Sequence, residues 1–175
     1  MIGGVQAASA SASEFTLKSF DIQSGTHMKK AQVFMGFGCN GDNISPQLSW
    51  KNPPKGTKSF AITAYDPDAP TGSGWWHWQV INIPVNTTEF KQGAGDISTK
   101  TAPKAALQIE NDYGFQGFGG ACPPKGDKVH HYQFTVYALS VGHIDLKSNA
   151  SGALTGYMIK TNSLGSSTIE TLYKR

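Results

Sequence analysis

Asp66-Pro67-Asp68-Ala69-Pro70-Thr71-Gly72-Ser73-Gly74-Trp75-Trp76-His77-Trp78 joins two apolar segments, and its reading decides how the chain folds. Upstream, residues 59–65 alternate as a strand does, with Phe60, Ile62 and Ala64 on one face and Asp66 continuing that face. A carboxylate at the end of an apolar face is the informative kind of polar residue. Downstream, residues 78–83 read as the next strand, stopped by Pro84. The prolines fix their own φ and bias the residues before them towards extended backbone, so Asp66 and Asp68 are each held in few orientations. Three tryptophans and a histidine then fall within four residues. Apolar walls with a few oriented polar groups are what a small-ligand pocket needs. For Asp-Pro-Asp alone, a rigid turn with a satisfied Asp cap and core tryptophans is the better reading, and the second half of the site reverses it.

Working outward, residues 14–20, 32–37 and 46–50 read as short strands, the last closed by the turn Asn52-Pro53-Pro54-Lys55-Gly56. Residues 36–43 form an irregular Gly/Asn-rich loop, 86–96 a loop or edge, and 105–110 a short strand. Residues 111–127 form a long loop that Tyr113, Phe115 and Phe118 should order. The strongest strand pattern is 129–139. His130, Tyr132, Phe134, Val136 and Ala138 lie on one face and His131, Gln133, Thr135, Tyr137 and Leu139 on the other, which predicts burial on both. A helix is predicted over 148–164, with Ser148 or Ser151 as N-cap. Leu154, Tyr157, Met158 and Leu164 would be its apolar stripe and Gly165 its end. Residues 168–173 return as a last strand. Many strands and one late helix specify an all-β-dominated fold, an antiparallel β-sandwich with a peripheral helix near the C-terminus.

The chain of 175 residues is expected to hold one domain over 14–175, after an Ala/Ser-rich tail or signal-peptide remnant over 1–13. The 20 Gly and 9 Pro suit a turn-rich β protein. The net charge of +3 is scattered along the chain, so no nucleic-acid footprint is expected. No apolar run approaches the roughly 20 residues of a membrane span. Cys39 and Cys122, the two cysteines, lie 122 − 39 = 83 positions apart in Gly-rich loops, and neither belongs to a C-x-x-C pair. A disulfide is the expected state. With the tail, it points to a periplasmic or secreted protein, the cytoplasm being the alternative.

Pro123-Pro124-Lys125-Gly126-Asp127 followed by His130-His131-Tyr132-Gln133-Phe134 forms the second half of a candidate site. His130 and Tyr132 share an apolar face, like the one that Asp66 closes. Buried, they need polar partners, and Asp66 is the natural one, with His77 as a further donor. Together with backbone N–H groups of a Gly-rich loop they would make a nest for a phosphate-like anion. A polar network satisfying itself at the sheet edge is the competing reading. Asp66, Asp68, His77 and His130 show no tight metal-ligand spacing such as H-E-x-x-H, so neither metal nor cofactor is expected. Ser73 sits in Gly-Ser-Gly without a nucleophile-elbow sequence.

The Asp66–Pro70 run, the spacing of His77 and Asn82-x-Pro84, and Pro-Pro-Lys-Gly through His130-x-Tyr132-x-Phe134 resemble the two signature regions of the phosphatidylethanolamine-binding protein family. The bacterial, Raf-kinase-inhibitor-like branch is the nearest, and the likeness runs from Phe15 to the C-terminus. The resemblance implies a β-sandwich with a small cavity for phosphate-like anions or phospholipid headgroups, and a kinase-inhibitor-like regulatory role. By motif position Asp66, His77, Gly120, His130 and Tyr132 would line it, with Ala69, Pro70 and Trp75 at the wall and Pro123 on the opposing loop. Two positions and one element depart from the family pattern. Cys122 stands where glycine often precedes the double proline, and His131 replaces a common arginine and by alternation points away. No counterpart of the eukaryotic C-terminal helix, which adds a tyrosine to the pocket, follows Tyr173. The expected function is non-enzymatic binding of a small anionic ligand. The alternatives are a small-ester or phosphate hydrolase using Asp66 and His130, and a protein-interaction module using Trp75 and Trp76. Homodimerisation and the protein partner stay open.

Overall fold

The computed structural model describes residues 13–175, so the expected tail lies outside them except for Ser13. In chain order the strands are β1 (Thr16–Lys18), β2 (Met35–Gly36), β3 (Cys39–Asn40), β4 (Leu48–Lys51), β5 (Ser59–Asp66) and β6 (Trp75–Pro84). They are followed by β7 (Glu89–Phe90), β8 (Leu107–Gln108), β9 (His130–Leu139) and, after helix α1 (Gly152–Thr161), β10 (Ser163–Tyr173). A three-stranded sheet runs β1-β4-β7 and a five-stranded sheet β10-β9-β5-β6-β8, with every strand pair antiparallel. Their inner faces close on one core, Leu17, Leu48, Trp50 and Phe90 from the small sheet meeting Phe60, Ile62, Trp78 and Phe134 from the large one. That is the expected sandwich.

The outer face of the large sheet is apolar as well. Ala61, Ile81 and Leu139 pack with Ile109, Ile144 and Ile159 of α1. Only part of β9 is covered there: Thr135 and Leu139 are buried, whereas His131, Gln133 and Tyr137 are half-buried. The expectation of two buried faces therefore holds on this outer face only at Thr135 and Leu139.

Helix α1 differs most from its sequence pattern. Ser151 caps it, accepting from the Leu154 N–H at 3.2 Å, but it ends at Asn162, and Gly165 lies inside β10. Its buried residues are Gly152, Thr155, Gly156 and Ile159, while Leu154 and Tyr157 are exposed and Leu164 belongs to β10. The helix packs through its glycines on the Trp76 ring. A Cβ at Gly152 would overlap that ring, and one at Gly156 would sit 3.1 Å from it. A stripe drawn from large apolar residues misses a contact in which the tryptophan supplies the area and the helix supplies the absence of side chains.

Residues 30–43 also fold further than expected. Lys30–Gln32 is a 3-10 turn, and β2 and β3 form a hairpin across Phe37-Gly38, whose φ values of 48° and 78° match the left-handed pair of a tight hairpin turn. The expected disulfide joins this hairpin to the 111–127 loop, with Cys39 and Cys122 Cα atoms 5.9 Å apart. Strand β6 begins three residues earlier than the sequence pattern, because Trp75 pairs directly with Asp66.

Gly152→Ala should destabilise the protein by about 1–3 kcal/mol in urea unfolding, through overpacking against Trp76. Gly156→Ala should lose less, since its looser contact is partly offset by a helix-propensity gain of about 1 kcal/mol. Thiol titration of denatured, unreduced protein should find no free thiol. Reduction should lower stability by about 4–5 kcal/mol on the chain-entropy model for a loop of this length.

Candidate functional site

One end of the large sheet carries every polar group singled out in the sequence. Asp66 ends β5, Trp75 and His77 open β6, and His130 and Tyr132 open β9; the register that pairs Tyr65 with Gln133 brings these ends together. They surround a cavity of about 300 Å³. Asp66, His77, His130 and Tyr132 border it, as do Ala69, Pro70, Trp75 and Pro123. Gly120 does not. It packs behind the wall, its N–H donating to Asn43 Oδ1 at 2.7 Å, where a Cβ would overlap the Gln32 carbonyl. Phe37, Thr71, Tyr113, Cys122, Pro124 and Arg175 complete the lining and were not singled out for it in the sequence. Tyr113 was legible as an ordering aromatic of its loop. Phe37 and Arg175 arrive through the hairpin turn and the full length of β10, neither of which local pattern reveals.

The two carboxylates of Asp-Pro-Asp separate. Asp66 turns inwards: its Oδ2 meets His130 Nδ1 at 2.7 Å and its Oδ1 accepts from the Asp68 N–H at 2.8 Å. Asp68 turns away, accepting from Lys128 Nζ at 2.6 Å and from the His131 N–H and Nδ1 at 2.9 and 2.7 Å. Lys128 foremost, then His131, hold the Asp68 carboxyl well below the usual carboxylate range against the opposing effect of burial. His130 is fully buried between two carboxylates, its Nε2 lying 3.2 Å from Asp127 Oδ2. Burial alone would lower its pKa, but the hydrogen bond and charge of Asp66, aided by Asp127, outweigh that and raise it. The pair is an imidazolium clasped by carboxylates.

His77 is the opposite case. Its Nδ1–H donates to the Gly119 carbonyl at 2.7 Å, and burial pushes its pKa down to about 4. The ring is therefore neutral, and its Nε2 presents a lone pair with no protein partner. The expectation that His77 acts as a donor is corrected by this tautomer. Tyr132 stands edge-on to His77, with ring centroids 5.2 Å apart, and its buried hydroxyl makes no well-formed hydrogen bond, with the Asp66 carboxylate beside it. Burial first, and the Asp66 charge second, push the Tyr132 pKa far up, so the hydroxyl keeps its proton. Trp75 Nε1 and Arg175 Nε are likewise buried and unpartnered. Four residues around one cavity thus carry polar atoms that the protein leaves unmet. Among the described residues no group of three or more His, Cys, Asp or Glu is placed to hold a metal ion.

The sequence model of the phosphatidylethanolamine-binding protein family matches residues 18–174. The chain belongs to that family. It is 52% identical to YbcL of Escherichia coli over 166 residues, which is 95% of this chain and 91% of that protein. YbhB of the same organism is 47% identical over 157 residues, 90% of this chain and 98% of YbhB. LppC of Mycobacterium tuberculosis, whose name carries the word lipoprotein, is 35% identical over 122 residues, 70% of this chain and 56% of LppC. The crystal structure of YbcL, described as a member of the mammalian family of this name, superposes with a TM-score of 0.91 over 93% of this chain and 99% of that one. The C-terminal segment brings Arg175 to the cavity.

The two histidines should oppose one another in pH dependence. His77 stays neutral in the folded state down to about pH 4, whereas the unfolded state protonates near 6.5. Its contribution is therefore intact above pH 6.5 and lost as pH falls towards 4, by about 3 kcal/mol for a shift of that size. His130, with its pKa raised, contributes stability below the unfolded pKa that is lost as pH rises through the folded one. Urea unfolding across this range should show a shallower acid slope in His77→Gln than in wild type. His130→Gln should instead abolish the loss on the alkaline side.

Proposed function

We propose that the protein is a non-catalytic binding module whose cavity takes a small anion bearing a phosphate-like group, either free or as the headgroup of a larger molecule. The observation that carries this reading is the set of unmet buried polar atoms, Tyr132 Oη, Trp75 Nε1, Arg175 Nε and His77 Nε2. A buried donor without an acceptor costs about 1–3 kcal/mol, so a site holding several is built for something that supplies them. Tyrosine, tryptophan and arginine offer hydrogens, which calls for the oxygens of an anion. His77 offers a lone pair, which calls for a hydroxyl or N–H on the same ligand. A monoprotonated phosphate or a phosphorylated amino alcohol has both. The Phe37, Pro70, Tyr113, Pro123 and Pro124 walls suit the apolar remainder of such a ligand.

The same groups argue against hydrolysis. Both nitrogens of His130 are engaged by carboxylates, leaving none to take a proton from water. His77, with a pKa of about 4, is a weak base. The Thr71 hydroxyl, which borders the cavity, is spent on the Gly74 carbonyl at 2.6 Å. Nor do Trp75 and Trp76 form a free docking face: Trp75 borders the cavity and Trp76 lies beneath α1. Family membership supports a ligand-binding or regulatory role in general terms. No described helix is long and apolar enough to cross a membrane. The disulfide and the lipoprotein name of LppC support an exported location.

Calorimetric titration with inorganic phosphate and with phosphoethanolamine should detect binding, and Tyr132→Phe should weaken it by about 5- to 100-fold. Affinity should fall from about pH 5 to 8, as the phosphate loses the proton that His77 accepts. Chromogenic phosphate and acyl esters should show no turnover above buffer. Turnover that disappears in His130→Gln would replace this reading with the hydrolase.

A further inference from the structure

We propose that Arg175 is the cation of the cavity: its guanidinium, rather than either histidine, meets the charge of the bound anion. The inference rests on the anion-binding reading above and adds the residue that supplies the charge. The surrounding charges leave that role vacant. Asp66 offsets His130, Asp68 offsets Lys128, and His77 is neutral, while Asp127 adds a negative charge on the far side of His130. Without a further cation, an anion would enter a neutral-to-negative site. Arg175 borders the cavity, and no carboxylate lies within 4.0 Å of it among the described residues, whose ion pairs involve Lys30, Lys128, His130 and His131.

The side chain is held without being neutralised. Its Nη1 donates to the Phe37 carbonyl and to Cys39 Sγ, each at 3.3 Å. Its own carbonyl accepts from the Gly126 N–H at 3.2 Å, joining it to the double-proline loop. At Gly38 a Cβ would stand 3.2 Å from Nη1, so the hairpin tip is shaped to admit the guanidinium. These contacts use the hydrogens of Nη1 and leave Nε–H, buried and unpartnered, together with Nη2. Nε–H and Nη2–H share one edge of the guanidinium, and one such edge meeting two phosphate oxygens is the strong, bidentate form of this contact. The buried, unmet Tyr132 hydroxyl and His77 Nε2 are independent signs that a polar ligand belongs in the same space.

The test is titration of wild type, Arg175→Gln, Arg175→Lys and Tyr132→Phe with inorganic phosphate at several sodium chloride concentrations. Thermal unfolding serves as the fold control. Arg175→Gln should bind about ten-fold more weakly or worse and lose most of the salt dependence, whereas Arg175→Lys should keep that dependence at an affinity within about five-fold of wild type. A merely structural role for Arg175 would not preserve the salt slope in lysine and erase it in glutamine. Wild-type affinity and salt slope in Arg175→Gln, with binding still weakened in Tyr132→Phe, would overturn this inference and leave the anion-binding reading standing. Absence of phosphate binding by the wild type would overturn both. Should Arg175→Gln fail to fold, Arg175→Met replaces it under the same criteria: a lost salt slope supports the charge role, and a wild-type slope removes it.

Discussion

The contact on which the site depends is the 2.7 Å bond between Asp66 and His130. Both residues are almost wholly excluded from water, and neither could be charged there alone. Paired, they tie the last residue of β5 to the first of β9, two central strands of the large sheet. The remaining Asp66 oxygen then fixes the Asp-Pro-Asp turn through the Asp68 N–H. That turn aims Asp68 outward to Lys128 and His131. Removing one member of such a pair typically costs about 3–5 kcal/mol, because the other is left charged and unmatched. The cavity floor is thus rigid because its charges are matched.

Much of this was legible. Asp66 and His130 could be matched because each extends an apolar face, and period-two alternation is a strong signal wherever strands are long. The sandwich followed from the same signal in β5, β6 and β9. What escaped has physical reasons. The α1 contact is made by Gly152 and Gly156, which carry no apolar weight in any pattern. The hairpin at Phe37-Gly38 has strands of two residues each, too short to show alternation. Gly120 was carried over by motif position, but a residue with no side chain can sit in a motif for what it admits behind it, here the Gln32 backbone. Arg175 reaches the cavity only because β10 pairs with β9 along its whole length, a long-range fact with no local signature.

The role of His77 shows how little a residue type says without its neighbours. Its ring lies in the same polar cluster as His130, yet the two have opposite charge states. Burial acts on both rings, but Gly119 offers His77 only a neutral carbonyl whereas His130 meets two carboxylates, so burial prevails at His77 and the carboxylates prevail at His130. The cavity therefore contains two histidines of which neither has a ring N–H free for a further acceptor.

The Cys39–Cys122 bridge divides the residues that line the cavity. Asp66, Trp75, His77 and Tyr113 lie within the covalent ring, whereas Pro123, His130, Tyr132 and Arg175 lie beyond it. During synthesis both cysteines leave the ribosome before any of the second group, since chains are made N-terminus first. A bridge closed at that stage would fix one wall of a cavity whose other wall had not yet been translated. The ring also excludes β9, the strand that must insert beside β5 and carry β10 with it. The cavity is consequently completed only when the last third of the polypeptide docks against the segment the bridge encloses, because the His130 ring that answers Asp66 lies beyond Cys122.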